Sequence, residues 1–169
     1  MDKQSLFFTF LAAFFSLALM FQFIIFFTKR KKIITFNNDK LSVSYAIWFS
    51  SILISFAIYL KVALQHIENS IEYIIFADEI ENAFLAVMEK IAVFIGFTFL
   101  SVVLVYYLVN IISNVTFGKR IEKHEIENEN YSYFILKGIA MIIFVLATLP
   151  IFEHFTSWFL IKIEIPFYK

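Results

Sequence analysis

Four long stretches of the chain are almost free of charge, and polar clusters separate them. Residues 6–27, 43–60 and 91–112 contain no charged side chain, and residues 133–151 contain only Lys137. Each stretch would form about 27–33 Å of helix, which matches a hydrocarbon core of roughly 30 Å. Backbone amides have no water to bond inside a bilayer, so each stretch is predicted to be a transmembrane helix. We expect the Lys137 ammonium to reach back to the interface along its four-carbon stem.

The connection between the second and third stretches, residues 66–90, has a helical period of its own. Isoleucines recur at i, i+4, i+7 and i+8 from Ile67, and Glu68 and Glu72 lie on the opposite face. This pattern predicts an amphipathic helix at the outer interface, or a helical extension of the second span. The tail, residues 158–169, carries aromatic residues suited to the membrane interface and is expected to lie on the membrane surface.

The chain also repeats itself. The sequence FTFL at 8–11 recurs at 97–100, Ser44 and Tyr45 recur as Ser132 and Tyr133, and His66 matches His154. Such collinear matches indicate two tandem two-helix units, repeat one over residues 5–66 and repeat two over 91–157. Two units of equal orientation are expected to be related by a pseudo-twofold axis along the membrane normal. The predicted fold is therefore an all-α, single-domain integral membrane bundle of four helices over residues 1–169.

Composition agrees with a membrane protein and removes other classes. Hydrophobic residues make up 61% of the 169 residues and charged residues 17%, whereas soluble domains are nearer half apolar and a quarter charged. A soluble globule of this size could not bury so much apolar surface. The chain has no cysteine, which removes disulfides, thiol catalysis and thiolate metal sites. The 24 phenylalanines fit an AT-rich bacterial genome, or an organelle-encoded subunit.

Basic residues cluster after the first and third spans, and this predicts the orientation. The cluster comprises Lys29, Arg30, Lys31, Lys32, Lys119, Arg120 and Lys123. By the positive-inside rule both loops lie inside and both termini outside. We expect a bacterial inner membrane, or alternatively a mitochondrial inner membrane. The cluster is also expected to attract anionic lipid head groups or a partner.

Two short segments before the second helix of each unit resemble a known family. They are FNND at residues 36–39 and EIENEN at residues 125–130. Together with the duplicated two-helix unit, they resemble domain-of-unknown-function family three-fifty, small four-span bacterial inner-membrane proteins. The resemblance implies a membrane-stress or membrane-assembly setting more than an enzyme.

A few polar residues in or beside the spans are candidate functional groups. Gln22, Asn110 and Asn114 lie towards the inner ends of the first and third spans, where they could line a polar vestibule or hydrogen-bond between helices. His66 and His154, with Glu153, lie at the outer ends of the second and fourth spans, where the histidines could meet as a proton- or metal-sensing pair. The spacing offers no four-ligand zinc set, so no metal and no cofactor is predicted.

No enzyme motif is present, and no span contains an Asp or Glu. The sequence therefore favours a non-enzymatic protein that works by assembly, with itself as a homo-oligomer or as an accessory subunit of a larger membrane complex. One alternative is a homo-oligomeric pore with a polar inner vestibule. The other is an organelle-encoded accessory subunit of a respiratory or ATP-synthase complex. Nucleic acid is not an expected partner, because the basic residues are held beside a membrane span.

Overall fold

A computed structural model describes residues 3–33, 36–37, 40–76 and 82–160. The described elements are the helices and strands α1 (Lys3–Arg30), β1 (Phe36–Asn37), β2 (Lys40–Leu41), α2 (Val43–Phe76), α3 (Ala83–Phe117), α4 (Glu122–Glu127) and α5 (Tyr131–Ser157). The two short strands form an antiparallel hairpin that pairs Phe36 with Leu41. Four of the described helices, α1, α2, α3 and α5, are long and apolar enough to cross a membrane. The chain is therefore an integral membrane protein, as the hydrophobic pattern predicts.

Polar caps define where three of these helices begin. Ser42 accepts a hydrogen bond from the Tyr45 backbone N–H at the start of α2, at 3.2 Å. Asn82 and Asn130 make the equivalent caps on α3 and α5, at 3.1 and 3.3 Å. Each side chain satisfies a backbone donor that the first helical turn leaves open. At the other end of α3, Gly118 has a φ of 80°, which a glycine adopts without strain and which ends the helix.

The helices run further than the uncharged stretches. No separate interfacial helix forms in the described part of residues 66–90, because residues 61–76 continue α2 and residues 83–90 begin α3. Ile67, Ile71 and Ile74 are almost completely buried. The apolar face of the amphipathic pattern is thus covered by protein rather than lipid, and the observed form is the helical extension of the second span. Similarly, α5 continues past Pro150 to Ser157.

The bundle is built around α2, which packs against α5, α3 and α1. Large side chains such as Phe56, Tyr59, Phe94 and Phe134 fill the centre and are almost inaccessible. Helix α1 packs mainly on α2, and its buried face begins with the small residues Ser5, Ala12 and Ser16. Small side chains let helices approach closely in a membrane, where packing rather than water exclusion drives association.

The described residues of the connections 31–42 and 118–130 lie at one end of the bundle, here called the basic end. The end of α2 and the start of α3 lie at the opposite end, here called the distal end. Residues 161–169 of the predicted surface tail lie outside the described residues. Trp158 to Leu160 form a turn after α5.

Candidate functional site

At the basic end, α4 inserts a carboxylate into the bundle. Glu122 and Ile126 are four residues apart, so they share one face of this six-residue helix, and both are buried. Glu125 and Glu127 remain more accessible and pair with basic residues of the same connection. The buried apolar contact of Ile126 thus fixes the side of α4 that faces the core, and this places Glu122 among three long helices.

The Glu122 carboxylate is shared by three donors from three different segments. One oxygen, Oε1, accepts hydrogen bonds from the Lys137 ammonium of α5 and from the Tyr106 hydroxyl of α3, the latter at 2.5 Å. The other oxygen, Oε2, accepts from the Lys31 ammonium just after α1, at 3.0 Å. Glu122 and Lys137 are only 6% and 5% exposed, whereas Lys31 is 41% exposed. This set, with Asn110, is called the Glu122 cluster below.

Lys137 differs from its expected position. Its ammonium does point towards the basic end, but it is buried there instead of reaching water. Besides Glu122 it donates to Asn110 Oδ1 at 2.5 Å, and it lies over the rings of Tyr106 and Tyr133 at 5.1 and 5.8 Å. A buried ammonium is tolerated only when it is paired and hydrogen-bonded, and here the protein supplies both. Solvation by water is therefore replaced by an anion, an amide and two aromatic faces.

The pKa of the Glu122 carboxyl reflects this balance. Burial alone would raise it, but the charge and hydrogen bond of Lys137, the Tyr106 hydroxyl and the Lys31 charge hold the pKa below its ordinary value. The carboxylate is consequently ionised at neutral pH. Two ammonium groups share a single carboxylate, so the cluster carries one excess positive charge, which lies nearest the accessible Lys31 side.

An apolar cavity of about 70 Å³ adjoins the cluster between α1, α2 and α3. Its lining residues are Met20, Phe23, Ile24, Phe27, Trp48, Ile52, Phe99, Val102, Val103 and Tyr106. A second, much smaller space on the other side of Trp48 and Tyr106 is lined by Lys137 and Gly138. Two aromatic side chains therefore form the wall between an apolar compartment and the buried charges.

The structure separates the three residues predicted to form a polar vestibule. Asn110 is half-buried and bonds Lys137 in the interior. Gln22 is exposed on α1, in a shallow groove that Phe23 and Phe99 also line, and Asn114 is exposed near the end of α3. Of these three residues, only Asn110 is thus part of a buried polar group within one chain.

The basic residues fall into two sets. Lys31, Arg120 and Lys123 are each paired with a glutamate of the 118–130 connection: Lys31 with Glu122, Arg120 with Glu125 at 3.1 Å, and Lys123 with Glu127 at 3.7 Å. The exposed remainder comprises Lys29, Arg30, Lys32 and Lys119. Lys29 and Arg30 end α1 and Lys32 follows it, so the unpaired positive charge of the described residues is concentrated near the end of α1.

The residues predicted at the outer ends of the spans lie at the distal end. His66 is buried and its ring stacks on Phe94 with centroids 5.7 Å apart. His154 is exposed and its ring contacts Trp158, and Glu153 is exposed. The two histidines thus occupy different environments. Across the described ranges, no three His, Cys, Asp or Glu side chains come together as a metal site.

The sequence pattern places the Lys137 ammonium at the interface and does not identify Lys137, Glu122 or Tyr106 as site residues. Glu122 lies outside every uncharged stretch, in a connection that also holds three other glutamates. The available signal was Lys137 itself, because a charge inside a span requires a partner of opposite sign. The sequence alone does not tell which glutamate is that partner.

These features define a helical integral membrane protein whose basic end is closed by a buried ionic cluster. Comparison of the chain with protein-family models, with curated proteins and with solved structures finds no match.

Proposed function

We propose that the chain is a non-enzymatic membrane assembly protein that associates with a second copy of itself through α1. The observation that carries this proposal is the exposed Gln22 amide on a helix face that is otherwise apolar. If this homo-oligomer is part of a larger membrane complex, the chain has an accessory role there through the same surface.

Gln22 lies five residues inside the end of the uncharged stretch 6–27, about 7–8 Å from its edge. Its neighbours in the groove are Leu19, Phe23, Phe26 and Phe99, which are all apolar. An amide without a hydrogen-bond partner in an apolar medium costs several kcal/mol. A carboxamide both donates and accepts, so two copies of Gln22 across a twofold contact can satisfy each other. The face is therefore suited to a second copy of α1.

The remaining parts of the proposal concern arrangement and setting. We place the basic end inside and both termini outside, in a bacterial inner membrane, with repeats 5–66 and 91–157. In support of the repeats, the matched residues Tyr45 and Tyr133 are both buried in the first turn of their helices. The resemblance of the segments 36–39 and 125–130 to family three-fifty points to the same membrane-assembly setting.

The chain has no cysteine, so single-cysteine crosslinking in native membranes tests the contact directly. Phe26→Cys places a thiol on the Gln22 face, one turn away, and leaves the amide intact. The control is Phe21→Cys, which lies next to Gln22 in depth, about 7–8 Å along the helix from Phe26, but is turned towards α2, where the Phe21 ring contacts Phe49 at 5.5 Å. Oxidation is expected to give a covalent dimer, twice the mass of the 19.9 kDa chain, from Phe26→Cys and little from Phe21→Cys.

Adding Gln22→Leu to Phe26→Cys is expected to weaken association by about threefold to thirtyfold, which corresponds to roughly 0.6–2 kcal/mol for a hydrogen bond between membrane helices. Equal crosslinking of both cysteines, or no effect of Gln22→Leu, would contradict self-association through this face. Ion flux through liposomes that contain the crosslinked dimer would show a pore in place of a scaffold.

A further inference from the structure

The cavity between α1, α2 and α3 reaches the lipid-facing surface. Phe23 and Val103, which belong to its lining, are 41% and 43% exposed, and their helices α1 and α3 touch only narrowly. The Phe23 and Phe99 rings meet edge to face with centroids 6.2 Å apart across this gap. A hydrocarbon chain from the bilayer can therefore approach the cavity sideways between the two helices.

The cavity interior is aromatic at its basic end. The Phe27 ring stacks on Trp48 with an interplanar angle of 15° and meets the Tyr106 ring at 90°. With a volume of about 70 Å³, the space is roughly half of the 150 Å³ cavity that accommodates benzene. It fits a short segment of an acyl chain, with the rest of the chain in the bilayer.

A positive charge lies directly beside this apolar space. Phe27 lines the cavity, and Lys31 follows it by one helical turn. The Lys31 ammonium is 4.4 Å from the centre of the Phe27 ring. Lys31 is partly accessible, and its partner Glu122 is shared with Lys137, so the group as a whole has an excess positive charge. The exposed Lys29, Arg30 and Lys32 add to the positive potential around it.

We propose that one anionic phospholipid from the leaflet at the basic end binds at this place, with an acyl-chain segment in the cavity and its phosphate beside Lys31. An amphipathic ligand is favoured over a free anion, because the charge and the apolar space are only about one helical turn apart. In a phospholipid, the phosphate and the first methylene groups of the acyl chain are separated by a similarly short distance. Gln22 lies outside the cavity lining, although the groove beside it shares Phe23 and Phe99 with the cavity.

Trp48 makes the proposal measurable, because it lines the cavity and is only 3% exposed. Trp158→Phe leaves Trp48 as the sole tryptophan of the chain. This variant is reconstituted into vesicles in which phosphatidylglycerol or phosphatidylcholine carries brominated acyl chains, since bromine quenches tryptophan fluorescence on contact. We expect brominated phosphatidylglycerol to quench Trp48 at about fivefold lower mole fraction than brominated phosphatidylcholine, the effect of roughly one paired charge. Equal quenching by the two lipids would overturn the proposal, since it indicates only ordinary surrounding lipid.

Two pairs of variants separate the head-group contact from the acyl-chain contact. Lys31→Gln should abolish the preference for phosphatidylglycerol, whereas Lys31→Arg, which keeps the charge, should retain it. Val103→Phe, at the cavity mouth, should reduce quenching by both lipids, whereas the exposed neighbour Leu104→Phe should not. A preference that survives Lys31→Gln would overturn the head-group assignment. Unchanged quenching in Val103→Phe, or displacement of the brominated lipid by inorganic phosphate, would overturn the acyl-chain assignment.

Discussion

The buried pair of Glu122 and Lys137 gives the sharpest test of the structure, through a double-mutant cycle. Glu122→Gln removes the negative charge and preserves the size of the side chain. Lys137→Met removes the positive charge and keeps a long, flexible chain. The double variant removes both charges. Glu122→Gln leaves the buried Lys137 ammonium without its anionic partner, and Lys137→Met leaves Glu122 with the partly exposed Lys31 alone, whereas the double substitution leaves neither buried charge.

The magnitude follows from the burial of both groups, which are at most 6% exposed. Breaking a buried ion pair by removing one partner costs about 3–5 kcal/mol of unfolding free energy, because an uncompensated charge stays in a poorly polarisable environment. Lys31 adds little to this, since it is partly exposed and can turn to water when Glu122 is neutral. The double variant should lose no more stability than either single one, because a charge pair replaced by neutral groups is often nearly isoenergetic. The expected coupling is therefore about 3 kcal/mol.

The assay is unfolding by SDS in mixed micelles, followed by far-ultraviolet circular dichroism. Glu127→Gln is the matched control on the same helix, because Glu127 pairs with Lys123 at 3.7 Å near the surface, and its loss should cost less than about 1 kcal/mol. If the two single effects add within about 0.5 kcal/mol, the groups do not interact energetically and the reasoning is refuted. A Glu122→Gln variant as stable as Glu127→Gln would refute it equally.

Two further predictions use the same unfolding assay. The pKa of Glu122 is lowered in the folded protein, so its stabilising contribution is complete above the ordinary carboxyl value of 4.5 and is lost as the pH falls through the lowered value. Glu122→Gln should therefore reduce the fall of the unfolding free energy at acid pH. An unchanged pH dependence in this variant would contradict the prediction. A Cβ on Gly138 would meet Ser51 Oγ at 2.2 Å and Ser51 Cβ at 3.1 Å, whereas one on Gly96 meets nothing within 4 Å. Gly138→Ala should therefore cost about 1–3 kcal/mol and Gly96→Ala nothing, and equal stabilities would show that α5 and α2 are not so close.

The long-range pattern of the fold was predictable because each spanning helix must be almost entirely apolar on its own. The ends were less predictable. Helix α2 continues beyond the charged Lys61 to Phe76, since Ile67, Ile71 and Ile74 find protein partners there. The hydrophobic period was visible in the sequence, but whether protein or lipid covers that face depends on how the neighbouring helices pack.

The candidate site was only half predictable for a similar reason. The one charge inside a span, Lys137, was expected to reach the interface, and its partner Glu122 belongs to a short helix whose orientation depends on the burial of Ile126. Asn110 was identified as a polar residue of the third span, and its partner was not. Gln22 and Asn110, at almost equivalent places in the two predicted repeats, face the exterior and the interior respectively. Equivalent positions in the sequence therefore do not give equivalent surroundings.

The central position of α2 also has a consequence for biosynthesis. Its most extensive neighbour is α5, which begins 88 residues after α2 begins, at Tyr131 compared with Val43. At about 5–20 residues per second, the ribosome needs roughly 4–18 s to supply that neighbour. Throughout this interval the Tyr59 hydroxyl lacks Thr148, and Glu122, once it has been made, still lacks Lys137. A chain interrupted before its final helix thus leaves uncovered the face of α2 that α5 would contact. A membrane protease can recognise this uncovered face as a sign of an incomplete chain.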